Sequence, residues 1–488
     1  MSATTIAVLK KYMDERFGKI ERALGAPIYG AYWDKSSDPT LTRTHDAVGM
    51  EANVGVDGEW VHNDFDRAEI FGEMGPVTDD YGNVFIRIPR FYIRKTDGPG
   101  YKTWAVSKHK YPGFYLPWCF WDFGRGVELP YVDVGKYKAS LGSDNRLESK
   151  PDTHPLVNAN IVAFRNYARN NNAGGRKGYQ QLDIHVYDVL QTLMYIEFAT
   201  LDLQSVMQGF VFGAYSANHV AVVSETNTNR IVISTNHANS FRVGQSIGIG
   251  TSVTSNAVAG PRVVLEINDL GGENSEIIFD GDPVNIGEGN VVASRGWLNG
   301  FSKNIASSSG YIGTNDGKYP CSYRGIESPY GDLWQWVDGV NINDHQAWVC
   351  KDADQYASNQ FAGSAYEVLG YVNADANGYP KEMGFDPDYP FAEFPVELGG
   401  SSTTYYSDYY YQSTGQRVAH VGGNWNNGSN SGPAYWNLNN SSSNSNVNIG
   451  GRTLIRIKGF IFCTPFSLPL GRNMPKRARL SRFTLEGP

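Results

Sequence analysis

The stretch 424–448 constrains this chain most, because it contains no Lys, Arg, Asp or Glu yet carries Trp425, Tyr435 and Trp436. An apolar-rich strand over 417–421 leads into it through Gly422 and Gly423. A second strand pattern, 453–457, follows it. Between them the side chains are mostly Asn and Ser. Polarity alone suits a flexible, low-complexity loop, but large aromatics are costly on an idle linker. Asn and Ser offer hydrogen bonds without fixed charge, and Tyr and Trp add rigid contact area at little entropic cost. The composition therefore points to a binding face held between two strands. Its candidate contacts are Asn424, Trp425, Asn427, Asn430, Tyr435, Trp436, Asn437, Asn439, Asn440, Asn444 and Asn446. Tyr435 and Trp436 are expected as solvent-facing contacts, and Trp425, just after the glycine corner, as the aromatic best placed to be a buried anchor. Tyr406, Tyr409 and Tyr410 either extend the patch or belong to the core.

Elsewhere the pattern is mixed. Ile6, Leu9, Met13, Phe17, Ile20 and Leu24 recur at helical spacing, with Thr4 or Thr5 as cap and Gly25 and Pro27 as stop. This short helix either packs on its own domain or drives oligomerisation. Residues 28–100 alternate in the manner of strands. Residues 159–208 are helical twice over, the second helix presenting Tyr187, Leu190, Leu193, Met194, Ile196 and Phe198 on one broad face. Five short alternating segments within 210–295 predict a small antiparallel barrel or sandwich inserted at a loop. The resulting division is a helix over 1–26, a β lead-in and first half-domain over 27–208, and the insertion over 209–296. A second half-domain covers 297–458, and a basic tail 459–488, either solvated or docked on an acidic subunit.

Several segments carry a resemblance. Arg417, Val418, Gly422, Gly423, Asn424, Trp425, Asn426 and Asn427, followed by Ile449, Gly450 and Arg452, resemble the closing R-V-x-R-G-G-S-W-N-N…G-F-R-L wording of the formylglycine-generating-enzyme-like branch of the C-type lectin fold. Gly331, Trp334, Trp336 and Val337 match its G-N-V-W-E-W-V segment, with Asp332 for Asn and Gln335 for Glu. Gln181-Leu182-Asp183 and 196–200 are similar to its helical segment. Trp33, Asp34, Ser36, Thr42, Arg43, Thr44, Asp46, Ala47, Ile88, Pro89, Phe91 and Tyr92 resemble the opening of tail proteins from phages of Gram-positive bacteria. The Asn/Ser/Tyr composition is also similar to that of variable proteins of diversity-generating retroelements. The resemblance implies an α+β, C-type-lectin-like domain with an inserted small antiparallel β domain and a short N-terminal helix. It places strands 417–421 and 453–457 side by side in one sheet, with Trp334 and Trp336 near it.

It further implies a receptor-binding, tail-fibre or adhesin-type protein of a virion, with a bacterial surface glycan or protein as ligand. Other tail or baseplate subunits would be partners, and a homo-oligomer, a trimer by preference, the assembly. The alternatives are an oxidoreductase of the formylglycine-generating type with an atypical site, or a purely structural tail component. Enzymes of this branch use a cysteine pair or a His-x-x-x-His-x-Glu site. Neither is visible here, and His154, His185, His237, His345 and His420 lack ligand spacing backed by a carboxylate. No catalytic or cofactor residue is therefore expected. Asp352 with Asp354, and Asp386 with Asp388, either hold a structural calcium ion or lie in solvated loops. Cys119, Cys321, Cys350 and Cys463 are expected as buried thiols, a Cys321–Cys350 pair remaining open. The net charge of −8 disfavours nucleic acid. No segment is apolar over a membrane-spanning length, and the N-terminus lacks the apolar core of a signal peptide.

Overall fold

The computed structural model describes residues 25–175, 178–387, 390 and 392–456, a mixed, sheet-rich α+β chain. The expected N-terminal helix, the basic tail, Asp388 and Cys463 lie outside the described residues. The organising layer is a seven-stranded sheet. Its order is Tyr366–Val368, Gln346–Cys350, Trp334–Asn343, Gln416–Gly422, Gly432–Asn440 and Tyr410–Gln412, and Ile449–Gly450 pairs in parallel with the Trp334 strand. The Trp334–Asn343 strand is buried over nearly its whole length, so it reads as a continuous run rather than an alternating one.

Strand 453–455 does not join this sheet, which corrects the expected neighbourhood of 417–421 and 453–457. Both edges of the Gln416–Gly422 strand are already taken, by Trp334–Asn343 on one side and Gly432–Asn440 on the other. A strand has two hydrogen-bonding edges and no third. The chain therefore leaves the sheet after Gly450, and Thr453–Ile455 inserts between Tyr131–Gly135 and Tyr179–Gln181 in a separate five-stranded sheet. Trp334 and Trp336 do lie on the strand paired directly with Gln416–Gly422.

Two helices of the 159–208 region pack against these sheets. In α1, Ile161–Arg169, the Asn160 side chain caps the start by accepting from Ala163 N–H. In α2, Ile184–Phe198, the Asp183 side chain accepts from the N–H groups of His185 and Val186. The expectation of one apolar face on α2 is corrected: every residue of the helix is buried. Its polar members survive there because they have partners. Glu197 receives two hydrogen bonds from Arg324, at 2.7 and 2.6 Å, and Asp183 pairs with Arg456. A helix polar at these positions yet buried all round is the spine of a large core, not a surface amphipath.

Strands 29–33, 42–45, 92–98 and 101–107 form a further four-stranded sheet against α2. The opening motif sits here structurally: Asp46 accepts from Ile28 N–H at 2.8 Å, Asp34 from Ser36 N–H at 3.0 Å, and Arg43 donates to Glu197 O. Within 225–294, strands Arg230–Ser234, Asn274–Phe279, Ala259–Asp269, Ser246–Gly250 and Val291–Ser294 make an antiparallel five-stranded sheet. It has its own apolar cluster, which includes Ile231, Phe241, Ile247, Val264, Ile277 and Phe279. No helix among the described residues is long and apolar enough to cross a membrane.

Candidate ligand-binding surface

Gly422 and Gly423 adopt φ values of 90° and 79°, the left-handed region where a side chain would be strained, and so turn the Gln416–Gly422 strand sharply. The next residues are fixed by their own side chains. Asn427 Oδ1 accepts from Asn424 N–H at 2.9 Å, and Asn424 Oδ1 accepts from Asn426 N–H at 3.0 Å. These are local Asx-type bonds. They explain why an Asn-rich stretch is ordered, and they withdraw Asn424, which is buried, from any ligand.

Tyr435 and Trp436, expected as solvent-facing contacts, are core residues instead, and Trp425 is buried as the anchor its place after the glycine corner suggested. Trp425 packs with Phe210, Trp297, Leu333 and Val447, and Trp436 with Phe394 and Tyr187. Tyr435 packs with Trp334, Trp336 and Ile449. The reason is topological. Gly432–Asn440 is an interior strand with a covered layer on each face, so its alternating side chains are buried whichever way they point. Asn437 is buried as well, with its Oδ1 accepting from Asn439 N–H at 3.2 Å. Of the Tyr-rich run, Tyr406 and Tyr410 are buried and belong to the core, while Tyr409 is half-buried.

What reaches solvent is a different set. Tyr435 sits 4.6 Å from Trp334 between ring centroids, Tyr409 lies 5.9 Å from Tyr435, and Tyr379 lies 5.1 Å from Tyr409, all edge-on. This ladder runs from the core outwards and holds the half-buried Tyr409 and Tyr379 in place. Tyr411, 39% exposed, stands opposite Asn437 across the Tyr410–Gln412 pairing. Half-buried amides surround them. Asn430 accepts from Tyr379 OH, Asn440 donates to His420 Nε2 at 2.8 Å, and Asn444 donates to Asn440 Oδ1 at 2.8 Å. Asn427 and Asn439 are half-buried, while Asn426, Ser429, Ser441, Ser443, Ser445 and Asn446 are exposed. The loop that carries Asn446 returns to the Trp425 corner, since Val447 shares the Trp425 cluster.

Tyr379 and Tyr411 were not among the candidates. For Tyr411 the signal was present: in a strand, Tyr409 and Tyr411 must face opposite to Tyr410. Burial keeps His420 neutral, with its pKa pushed down to about 3. Its Nε2 accepts from Asn440, so it positions the amide rather than titrating.

Among the described residues, no group of three or more His, Cys, Asp or Glu side chains is placed to hold a metal ion. Asp352 Oδ1 accepts from Asp354 N–H at 3.1 Å, and Asp386 Oδ2 from Gly370 N–H at 2.7 Å. Cys119, Cys321 and Cys350 are free and buried, so Cys321 and Cys350 do not pair. Burial pushes the Cys321 thiol up to about 12 and the Cys350 thiol up to about 11, leaving both protonated and poorly nucleophilic.

Fold and surface together define a sheet-rich α+β protein presenting an uncharged Tyr/Asn face on a rigid scaffold. No protein-family model matches the chain, and no curated protein matches it in sequence.

Proposed function

We propose that this chain is a receptor-binding protein of a phage or phage-like particle, recognising a bacterial surface glycan or protein through the Tyr379–Tyr409–Tyr411 face and its surrounding amides. The observation that carries the reading is the aromatic ladder from Trp334 to Tyr379, which keeps the half-buried Tyr409 and Tyr379 rigid beside neutral hydrogen-bonding groups. A rigid aromatic surface loses little entropy on binding, and stacks on a sugar face or a protein hot spot.

The finer fold reading is a C-type-lectin-like domain of the formylglycine-generating-enzyme-like branch. Its support is that the residues carrying the resemblance converge. Gln335 pairs with Val421 and Gly450, Trp334 pairs with Ile449, and Trp425 N–H donates to Asp332 O at 3.0 Å. Arg452 donates to Gln335 Oε1 at 3.0 Å, Gly135 O at 2.7 Å and Glu327 O at 2.6 Å. In this reading the motif is a structural knot, and the protein binds rather than catalyses. Residues 209–296 are a separate inserted module, the chain works as a homo-oligomer on a virion beside other tail subunits, and the exposed Asn and Ser positions are those open to diversification. An array of cell-wall glycans and bacterial surface proteins, probed with the full chain, tests the function. Saturable binding to one chemical class supports it, and no binding to any class opposes it.

A further inference from the structure

Four charged side chains, Lys95, Asp188, Glu393 and Lys102, meet in the main core, each buried. Lys95, on strand Tyr92–Gly98, has its Nζ 2.5 Å from Asp188 Oδ1 on α2 and 2.8 Å from Glu393 Oε1. Lys95 and Asp188 are 1% and 2% exposed at their side chains, and Glu393 is 7% exposed. Lys102 Nζ holds the other Glu393 oxygen at 2.8 Å, and Trp104 Nε1 donates to Glu393 Oε1 at 3.2 Å. Asp188 Oδ2 has no hydrogen-bond partner although it is buried. A cavity of about 10 Å³ adjoins it, lined in part by Thr192, Tyr195, Met383 and Tyr406. That is room for about one water molecule. The Thr192 and Tyr406 hydroxyls facing it are also without partners.

An amine, a carboxyl and a second carboxylate in contact, all buried, are the parts of a condensation. We propose that Lys95 and Asp188 are joined by an autocatalytic intramolecular amide bond, with Glu393 as the base that deprotonates Lys95. Glu393 removes a proton from the Lys95 ammonium, and Nζ adds to Asp188 Cγ as that carboxyl takes up a proton. The tetrahedral carbon then expels one oxygen as water. A C–N bond forms and a C–O bond breaks, so that ammonium plus carboxylate become an amide plus water. Nothing is oxidised or reduced, and Glu393 ends in its starting state.

The local features bear on the steps in different directions. Burial raises the Asp188 carboxyl towards its protonated, electrophilic form, against the pull of Lys95. Burial would raise Glu393 and lower Lys95, but the opposite charges outweigh it at both, keeping Glu393 ionised and Lys95 protonated, so that proton transfer from Lys95 to Glu393 is the uphill, slow step. The unpartnered Asp188 oxygen is the one free to leave, and the cavity accepts the water. Contact at fixed geometry replaces the bimolecular encounter that makes the same reaction negligible in solution. A buried ion pair loses most of its hydration, so a neutral amide costs less there than the charges it replaces. The link would tie the four-stranded sheet to α2 across 93 positions of sequence.

The test is intact mass of the full chain after denaturation, with tryptic mapping. The expected mass is one water below that of the sequence. Trypsin should leave Lys95 uncut and release a branched peptide joining the Lys95 and Asp188 segments. The full sequence mass with cleavage after Lys95, or a water loss mapped elsewhere, overturns the proposal, and this readout needs no variant. For the base, Glu393→Gln should slow linkage by about 10²-fold. Linkage at the wild-type rate in that variant would remove Glu393 from the mechanism.

Discussion

Arg165 on α1 grips Asp338 in the interior of the central sheet through two hydrogen bonds, Nε to Oδ2 at 2.7 Å and Nη2 to Oδ1 at 2.8 Å. Gln181 Nε2 adds a third to Oδ2 at 2.9 Å. The pair sits where the Trp334–Asn343 strand shifts register against Gln416–Gly422, between Val337 and Asn341. Helix, sheet irregularity and charge are thus one device. A planar two-pronged donor is needed to satisfy both carboxylate oxygens at once.

Arg165→Ala therefore leaves a buried carboxylate uncompensated and should cost about 3–5 kcal/mol. Arg165→Lys should recover only part of this, because an ammonium cannot make the paired contact. Denaturant unfolding of the two variants checks both, and a loss under ~1 kcal/mol for Arg165→Ala contradicts the assignment.

The aromatics of the Asn/Ser-rich region should divide sharply by burial. Trp436→Ala, in a packed core, should cost about 3–5 kcal/mol. Tyr411→Ala, at 39% exposure, should stay within about 0.5 kcal/mol of wild type. Melting temperatures of the two variants separate a core strand from a solvent-facing one.

That division marks what could be read from the sequence. The strand–glycine corner–strand plan was legible, because Val418, Val421, Gly422 and Gly423 have strong local preferences. So was the existence of two helices in 159–208. The burial of Tyr435 and Trp436 was not, because an interior strand covered on both faces loses the alternation by which a solvent side is recognised. The separation of 453–455 from 417–421 depends on which edges other strands have already taken, and no local pattern encodes that. The ion pairs of α2 were equally invisible, since Lys95, Asp188 and Glu393 come together from distant parts of the chain.

Two buried histidines should draw stability down on mild acidification, against the opposite pull of Asp332, whose carboxyl burial raises to about 6. Burial pushes His185 and His420 down to about 3, while an unfolded chain protonates its histidines near 6.5. Both are thus depressed on folding. Their contribution is fully present above about 6.5, and is lost as pH falls from there towards about 3. The slope is ~1.4 kcal/mol per pH unit per histidine. Imidazole NMR signals of the folded protein should show neither ring titrating between pH 8 and 5. A midpoint near 6.5 for either would contradict its buried, neutral state.

The corner itself gives a local test. A Cβ on Gly423 would lie 2.3 Å from Ser431 Oγ, at a φ of +79°. Gly423→Ala should destabilise by about 1–3 kcal/mol. Adding Ser431→Gly removes the side-chain contact but neither the 3.0 Å approach to the backbone Cα at 431 nor the φ strain, so the double variant should recover only part of the loss in unfolding experiments.

The central claim is that the Tyr/Asn face binds a bacterial surface ligand, and one comparison tests it most directly. Tyr379, Tyr409, Tyr411 and Asn444 are replaced together by Ala, and adsorption to cells bearing the ligand class found on the array is measured beside wild type. The face predicts that adsorption falls by about 10²-fold or more, as expected for loss of a clustered hot spot, with the folded spectrum retained. Undiminished adsorption by the folded variant would contradict the account and move the binding surface elsewhere, first to the inserted sheet of residues 225–294.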